Sequence, residues 1–177
     1  MYASSFKEEN VSILRQRRQL ALQGTPVSNE KAEVELAEIL QALTEREVER
    51  AGDVEYPLFK PSVSEGGLAA LVEMVATSDF EGNQVLAELT IQKMNEEHFL
   101  NRWRLCQLGG AKEEILLGMP VATIAWFQKC SFAHIRSIIK YVGNMTTLTV
   151  NPKYVYMAGK GLHLSEKSRR SMLLLMS

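Results

Sequence analysis

The sequence predicts a mainly α-helical fold: a helical domain with a helix-turn-helix-like trihelical unit and a short C-terminal β element. Three observations carry that expectation. Apolar residues recur at helical spacing over several stretches. Glycine, proline and serine punctuate those stretches where helix ends are expected. Only Thr146 to Val150 alternates and is β-branched enough to read as a strand. At 177 residues the chain can bury a core without disulfides or metals. Its formal net charge of −1 means that any contact with a polyanion must come from a local patch.

Residues Phe6 to Leu22 read as a first helix, with Val11, Leu14 and Leu22 near helical spacing and Arg15, Arg17 and Arg18 beside them. Gly24-Thr25-Pro26 ends it. A second helix begins near Ser28, where Asn29-Glu30 suits a helix start. Its stripe of Val34, Leu36, Ile39, Leu40 and Leu43 requires a partner surface, and its pattern fades at Gly52-Asp53. Val54 to Gly67, broken by Pro57, Pro61, Gly66 and Gly67, reads as a linker. Leu68 to Ala76 forms a short helix, and Asn83 to Leu108 a long apolar one closed by Gly109-Gly110. Tyr154-Val155-Tyr156 is a candidate partner strand for 146–150, and Ser165 to Met176 a terminal helix. The expected organisation is an N-terminal helical extension and linker over 1–60, a helical core over 61–151, and a basic tail over 152–177.

Catalytic and metal chemistry find no support in the residue pattern. Cys106 and Cys130 are far apart and form no CxxC pair, which argues against a disulfide framework and a cysteine zinc site. His98, His134 and His163 lack metal-ligand spacing. Glu113-Glu114 are adjacent on a helix and point apart, unlike acid/base partners. Gly159-Lys160-Gly161 lacks the spacing of a phosphate loop. No enzyme activity and no cofactor are expected. Trp103 and Trp126 read as core or interface anchors. The acidic run Glu45, Glu47, Glu49 and the basic residues Arg15, Arg17 and Arg18 read as solvated faces. Two free thiols and the absence of an apolar leader or spanning segment lead us to expect a cytoplasmic protein with no membrane contact.

The informative region is 102–150. It reads as three short helices, 111–117, 120–129 and 131–142, with breaks at Gly118, Pro120 and Ser131. Short helices across tight turns suit a helix-turn-helix, because the turn sets the angle at which the last helix enters a major groove. Ile115, Leu116, Val121, Ile124, Ala125, Phe127, Phe132, Ile135, Ile138 and Ile139 would form its core. His134, Arg136, Ser137 and Lys140 would then face outward as DNA-binding residues, since Arg and Lys suit phosphate or guanine and Ser bonds either. Lys160, Lys167, Arg169 and Arg170 form a second basic cluster that could add phosphate contacts. A plain helical bundle with a solvated basic face fits the same pattern.

The run Cys106-Gln107-Leu108-Gly109, then Glu113-Glu114, Val121-Ala122-Thr123-Ile124-Ala125 and Phe132-Ala133-His134-Ile135-Arg136-Ser137-Ile138-Ile139, resembles the central region of the FlhD family. FlhD is one subunit of a flagellar master activator. The resemblance covers about 50 residues, 102–151, and rests on order and pattern rather than on a rare motif. The chain departs from it by extra residues around Leu116 to Pro120 and by long additions at both ends. It implies a transcription activator that binds double-stranded DNA in a hetero-oligomer with an FlhC-like subunit, with self-association. The additions fit relatives carried on conjugative plasmids or integrative elements. The alternative is a helical adaptor or secretion-linked interaction protein that binds no DNA.

Overall fold

The computed structural model describes residues 2–25, 27–63, 66–70, 73, 89–108, 119–139 and 143–162. It is mainly helical, as the sequence predicts. The elements in chain order are α1 (Tyr2–Leu22), α2 (Lys31–Ala42), α3 (Glu45–Gly52), β1 (Phe59–Pro61), α4 (Leu89–Gln107), α5 (Val121–Lys129), α6 (Phe132–Ile139), β2 (Thr146–Leu148) and α7 (Pro152–Gly159). Residues 66–70 are also helical. β1 and β2 pair, flanked by bonds from Ser62 N to Met145 O (2.9 Å) and from Thr149 N to Leu58 O (2.8 Å), which fix an antiparallel register. The chain folds as two compact units. The first comprises residues up to Lys60 together with those from Thr147 onward, and the second is Pro61–Thr146.

In the first unit, α1 buries Phe6, Glu9, Asn10, Ile13, Leu14, Gln16, Arg17, Leu20 and Ala21, a stripe at spacings of three and four. Gly24, at φ +72°, ends the helix in a Schellman arrangement: Thr25 N donates to Leu20 O and Gly24 N to Ala21 O, each at 3.0 Å. α1 packs on α2 and α3, and α7 packs on the same two helices. The α1–α3 approach needs Gly52, because a Cβ there would lie 2.7 Å from Val11 Cγ2 and its backbone N.

Several local expectations change. The second predicted helix divides at Leu43-Thr44, because Thr44 and Glu47 form a capping box: Glu47 N donates to Thr44 Oγ1 (3.4 Å) and Thr44 N to Glu47 Oε2 (2.8 Å). Leu36, Leu40 and Leu43 are buried as expected, whereas Val34 is exposed. Tyr154-Val155-Tyr156 is helical rather than a strand. Asn151 caps α7 by accepting from Lys153 N (3.0 Å), and Pro152 supplies a preset φ in its first turn, so local capping outweighs the β preference of the aromatic run. Residues 152–159 therefore belong to the first unit as α7. The linker read over 54–67 is structured in part, since Leu58 and Phe59 are fully buried.

Arg17, expected on a solvated face, is a core residue. It pairs with Glu33 of α2, the two side chains being 2% and 5% exposed, and its guanidinium carbon lies 4.8 Å from the Phe59 ring centroid. Burial pulls the Arg17 pKa down and Glu33 opposes that shift. Asn10 organises the segment leading into β1. Its Nδ2 donates to Tyr56 O (2.9 Å) and its Oδ1 accepts from Leu58 N (2.9 Å).

The second unit uses the same device. Asn95, buried on α4, donates from Nδ2 to Gly143 O (2.9 Å) and accepts at Oδ1 from Met145 N (3.0 Å). It thus holds the backbone entering β2. α4 also buries Met94, His98, Phe99, Arg102, Leu105 and Cys106, and packs against α5 and α6.

Two stability predictions follow from these buried groups. Asn10→Ala leaves a buried N–H and a buried C=O unpaired, so urea unfolding should show a loss of about 2–4 kcal/mol. Glu33→Ala strands the Arg17 charge and should cost about 3–5 kcal/mol, whereas the double variant Arg17→Met/Glu33→Leu should unfold within about 1–2 kcal/mol of the parent chain.

Candidate nucleic-acid interface

The α5–α6 hairpin is built against the C-terminal half of α4. Ile124 and Phe127 of α5 and Ile135, Ile138 and Ile139 of α6 are buried. Phe99 of α4 meets Phe127 with ring centroids 5.6 Å apart, and Trp103 meets Phe132 at 5.7 Å. Three polar side chains fasten the turn. Trp103 Nε1 donates to Cys130 O (2.8 Å), Gln107 Nε2 reaches Phe127 O and Gln128 O (3.2 Å each), and Gln128 Nε2 reaches Cys106 O (3.3 Å). The Gln107 bonds satisfy two of the last carbonyls of α5, the Gln128 bond one of the last of α4, and the Trp103 bond the carbonyl of the turn residue Cys130. Ser131 then caps α6 by accepting from His134 N at 3.2 Å. Only Cys130 and Ser131 separate the two helices.

Of the expected DNA-contacting residues, His134 and Arg136 are exposed on α6. The Arg136 guanidinium carbon lies 5.9 Å from the Phe132 ring centroid, a cation–π contact that keeps the head group alongside the helix. The Ser137 side chain and residues Lys140, Lys167, Arg169 and Arg170 lie outside the described residues, as does the predicted helix 111–117 that would complete the trihelical unit. Two positions expected in its core point outward instead, Val121 at 64% and Phe132 at 46% exposure. Val121 opens the first turn of α5 and Phe132 the first turn of α6, where the Phe132 ring still meets Trp103. Lys129, the last residue of α5, is exposed too and was not singled out by the sequence pattern.

Lys160 is placed differently. It belongs to the first unit, where its Nζ lies 2.8 Å from Glu47 Oε1 and 5.8 Å from the Tyr156 ring centroid. The segment 159–161 is the end of α7: Leu162 N donates to Met157 O (2.9 Å) and Gly161 N to Ala158 O (3.1 Å), with Gly161 at φ +69°. Glu45, Glu47 and Glu49, read as a solvated face, are ion-paired to Arg15, Lys160 and Arg15 respectively, with Glu45 and Glu49 exposed and Glu47 half-buried.

The sequence through α5 and α6 carries no acid: no Asp or Glu occurs between Glu114 and Glu166, and Lys129, Arg136 and Lys140 lie in this stretch within the second unit. The Cys130 thiol is pushed up by burial, which keeps it protonated and unreactive near neutral pH. Among the described residues, no cluster of three His, Cys, Asp or Glu could hold a metal ion, and no helix is long and apolar enough to cross a membrane.

The Lys160 hydrogen bond, helped by the Thr44 backbone, lowers the Glu47 pKa from 4.5 to about 2. The lowered value means that the contact adds stability above about pH 4.5 and loses it as the pH falls through about 2. Carboxyl NMR should find Glu47 titrating near 2, and Lys160→Ala should move that titration back toward 4.5. No family model, curated protein or solved structure matches this chain.

Proposed function

We propose that the chain is a cytoplasmic subunit of a transcription activator, docking α6 on promoter DNA and acting with an FlhC-like partner. The observation that carries this reading is the α5–α6 hairpin: two short helices across a two-residue turn, exposing Lys129, His134 and Arg136 within an acid-free tract. Helix pairs of this build put the second helix into a major groove, with cations reaching phosphates and base edges. The resemblance to the FlhD family over 102–151 supports the same role and supplies the partner class.

A second reading is favoured by a specific feature of the same face. Phe132 is large, apolar and exposed beside Arg136, and Val121 is exposed at the start of α5, as at a protein-docking surface. On that reading the chain is a helical adaptor that binds no DNA.

Binding to a random-sequence duplex, measured by fluorescence anisotropy between about 50 and 200 mM salt, separates the two. The activator reading expects affinity to fall steeply with salt, and Lys129→Ala and Arg136→Ala each to lower the log–log slope by about 1. The chain is measured alone and with a co-expressed FlhC-like subunit. Absence of binding by either form removes the DNA reading.

A further inference from the structure

Charge is segregated along this chain. Nine of its 21 acidic residues fall in 30–55, against three Lys or Arg in the same stretch, while 115–165 holds five Lys or Arg and no acid. Within the first unit the two tracts already meet, through Lys160 with Glu47 and through Arg50 Nη1 donating to Gly159 O (3.2 Å). What remains is a complementary pair of unsatisfied faces, one in each unit. On α2, Leu36 and Leu40 are buried, while Val34, Glu38, Gln41 and Ala42 are exposed and Glu35 is half-buried. The carboxylates of Glu35 and Glu38 have no ion pair among the described residues. On the α5–α6 hairpin, Val121 and Phe132 are exposed, and Lys129 and Arg136 have no carboxylate partner among the described residues.

We infer that the acidic outer side of α2 in one copy docks on the basic, apolar outer side of α5–α6 in a second copy. The α2 side offers Val34 with Glu35 and Glu38, beside one exposed cation, Lys31, and the α5–α6 side offers Phe132 with Lys129 and Arg136, so the net signs are opposite. That is the composition of a specific helix–helix contact in which charge selects the partner and apolar burial holds it. Every chain carries both faces, so a dimer that makes the contact twice about a two-fold axis would leave none of them open. The contact uses Lys129 and Arg136, the same cations as the DNA reading, so a hairpin docked in this way is not docked on DNA; self-association is measured without nucleic acid, and the two readings therefore fail separately.

Sedimentation velocity of the full chain tests it. The dimer is expected at tens of micromolar protein in about 50 mM salt and should dissociate toward monomer as salt screens the faces. Glu35→Lys/Glu38→Lys should be monomeric under the conditions where the parent chain is dimeric, and so should Lys129→Glu/Arg136→Glu. Mixing those two monomeric variants should restore a dimer, because each reversed face then meets an opposite one. Far-UV circular dichroism and melting of each variant report whether it is folded, and the mixture reports on the faces themselves. A parent chain that stays monomeric at all concentrations overturns the inference. So does a dimer that survives either reversal, or a mixture of folded variants that fails to reassociate.

Discussion

Both units depend on one constraint: backbone that leaves a helix and enters the interior must find partners for its peptide groups. Two asparagines meet it. Asn10 on α1 pairs with a carbonyl and an amide of 56–58, and Asn95 on α4 does the same for 143–145. An asparagine side chain carries both a donor and an acceptor, so one residue can stand in for a missing strand neighbour. β1 and β2 are only three residues each, too short to satisfy the approaching backbone through strand pairing. The helices therefore position the strands, and with them the buried Phe59 and Leu148 of the first unit and Met145 of the second.

The sequence made some of this legible and concealed the rest. α5 and the strand at Thr146 were readable because Pro120 and Cys130-Ser131 bracket one and β-branched alternation marks the other. The break between α2 and α3 was present as Thr44-Glu45-Arg46-Glu47, a capping signal embedded in a continuous helical stripe. α7 was signalled by Asn151-Pro152, but the following Tyr-Val-Tyr suggested a strand. Arg17 shows the harder limit. Its neighbours Arg15 and Arg18 do reach exposed Glu45 and the Leu43 carbonyl, and only the tertiary position of Glu33 makes the residue between them a core group. No periodicity distinguishes a buried ion pair from a solvated charge, because the balance of desolvation and pairing is decided across elements.

The candidate interface was legible in composition and less so in geometry. His134 and Arg136 sit on the outer side of α6, as the helical pattern requires. Lys129 escaped notice because it closes α5 rather than lying on α6. Lys160 was grouped with the tail cations by proximity in sequence, although its helix packs with the acidic α3 and directs it to Glu47. Val121 and Phe132 were assigned inward on apolarity alone, and first-turn positions at the hairpin's openings leave them outside.

The second unit interrupts the first, entering after Lys60 and leaving before Thr147. The order of synthesis then matters. α1, α2 and α3 emerge from the ribosome about a hundred residues ahead of α7, the helix that covers α2 and α3. During that interval α1 can already pack on α2 and α3, but the sides of those two helices that α7 covers stay open until the whole inserted segment has been made. Closing the first unit is thus tied to the last stretch of chain described, not to the first.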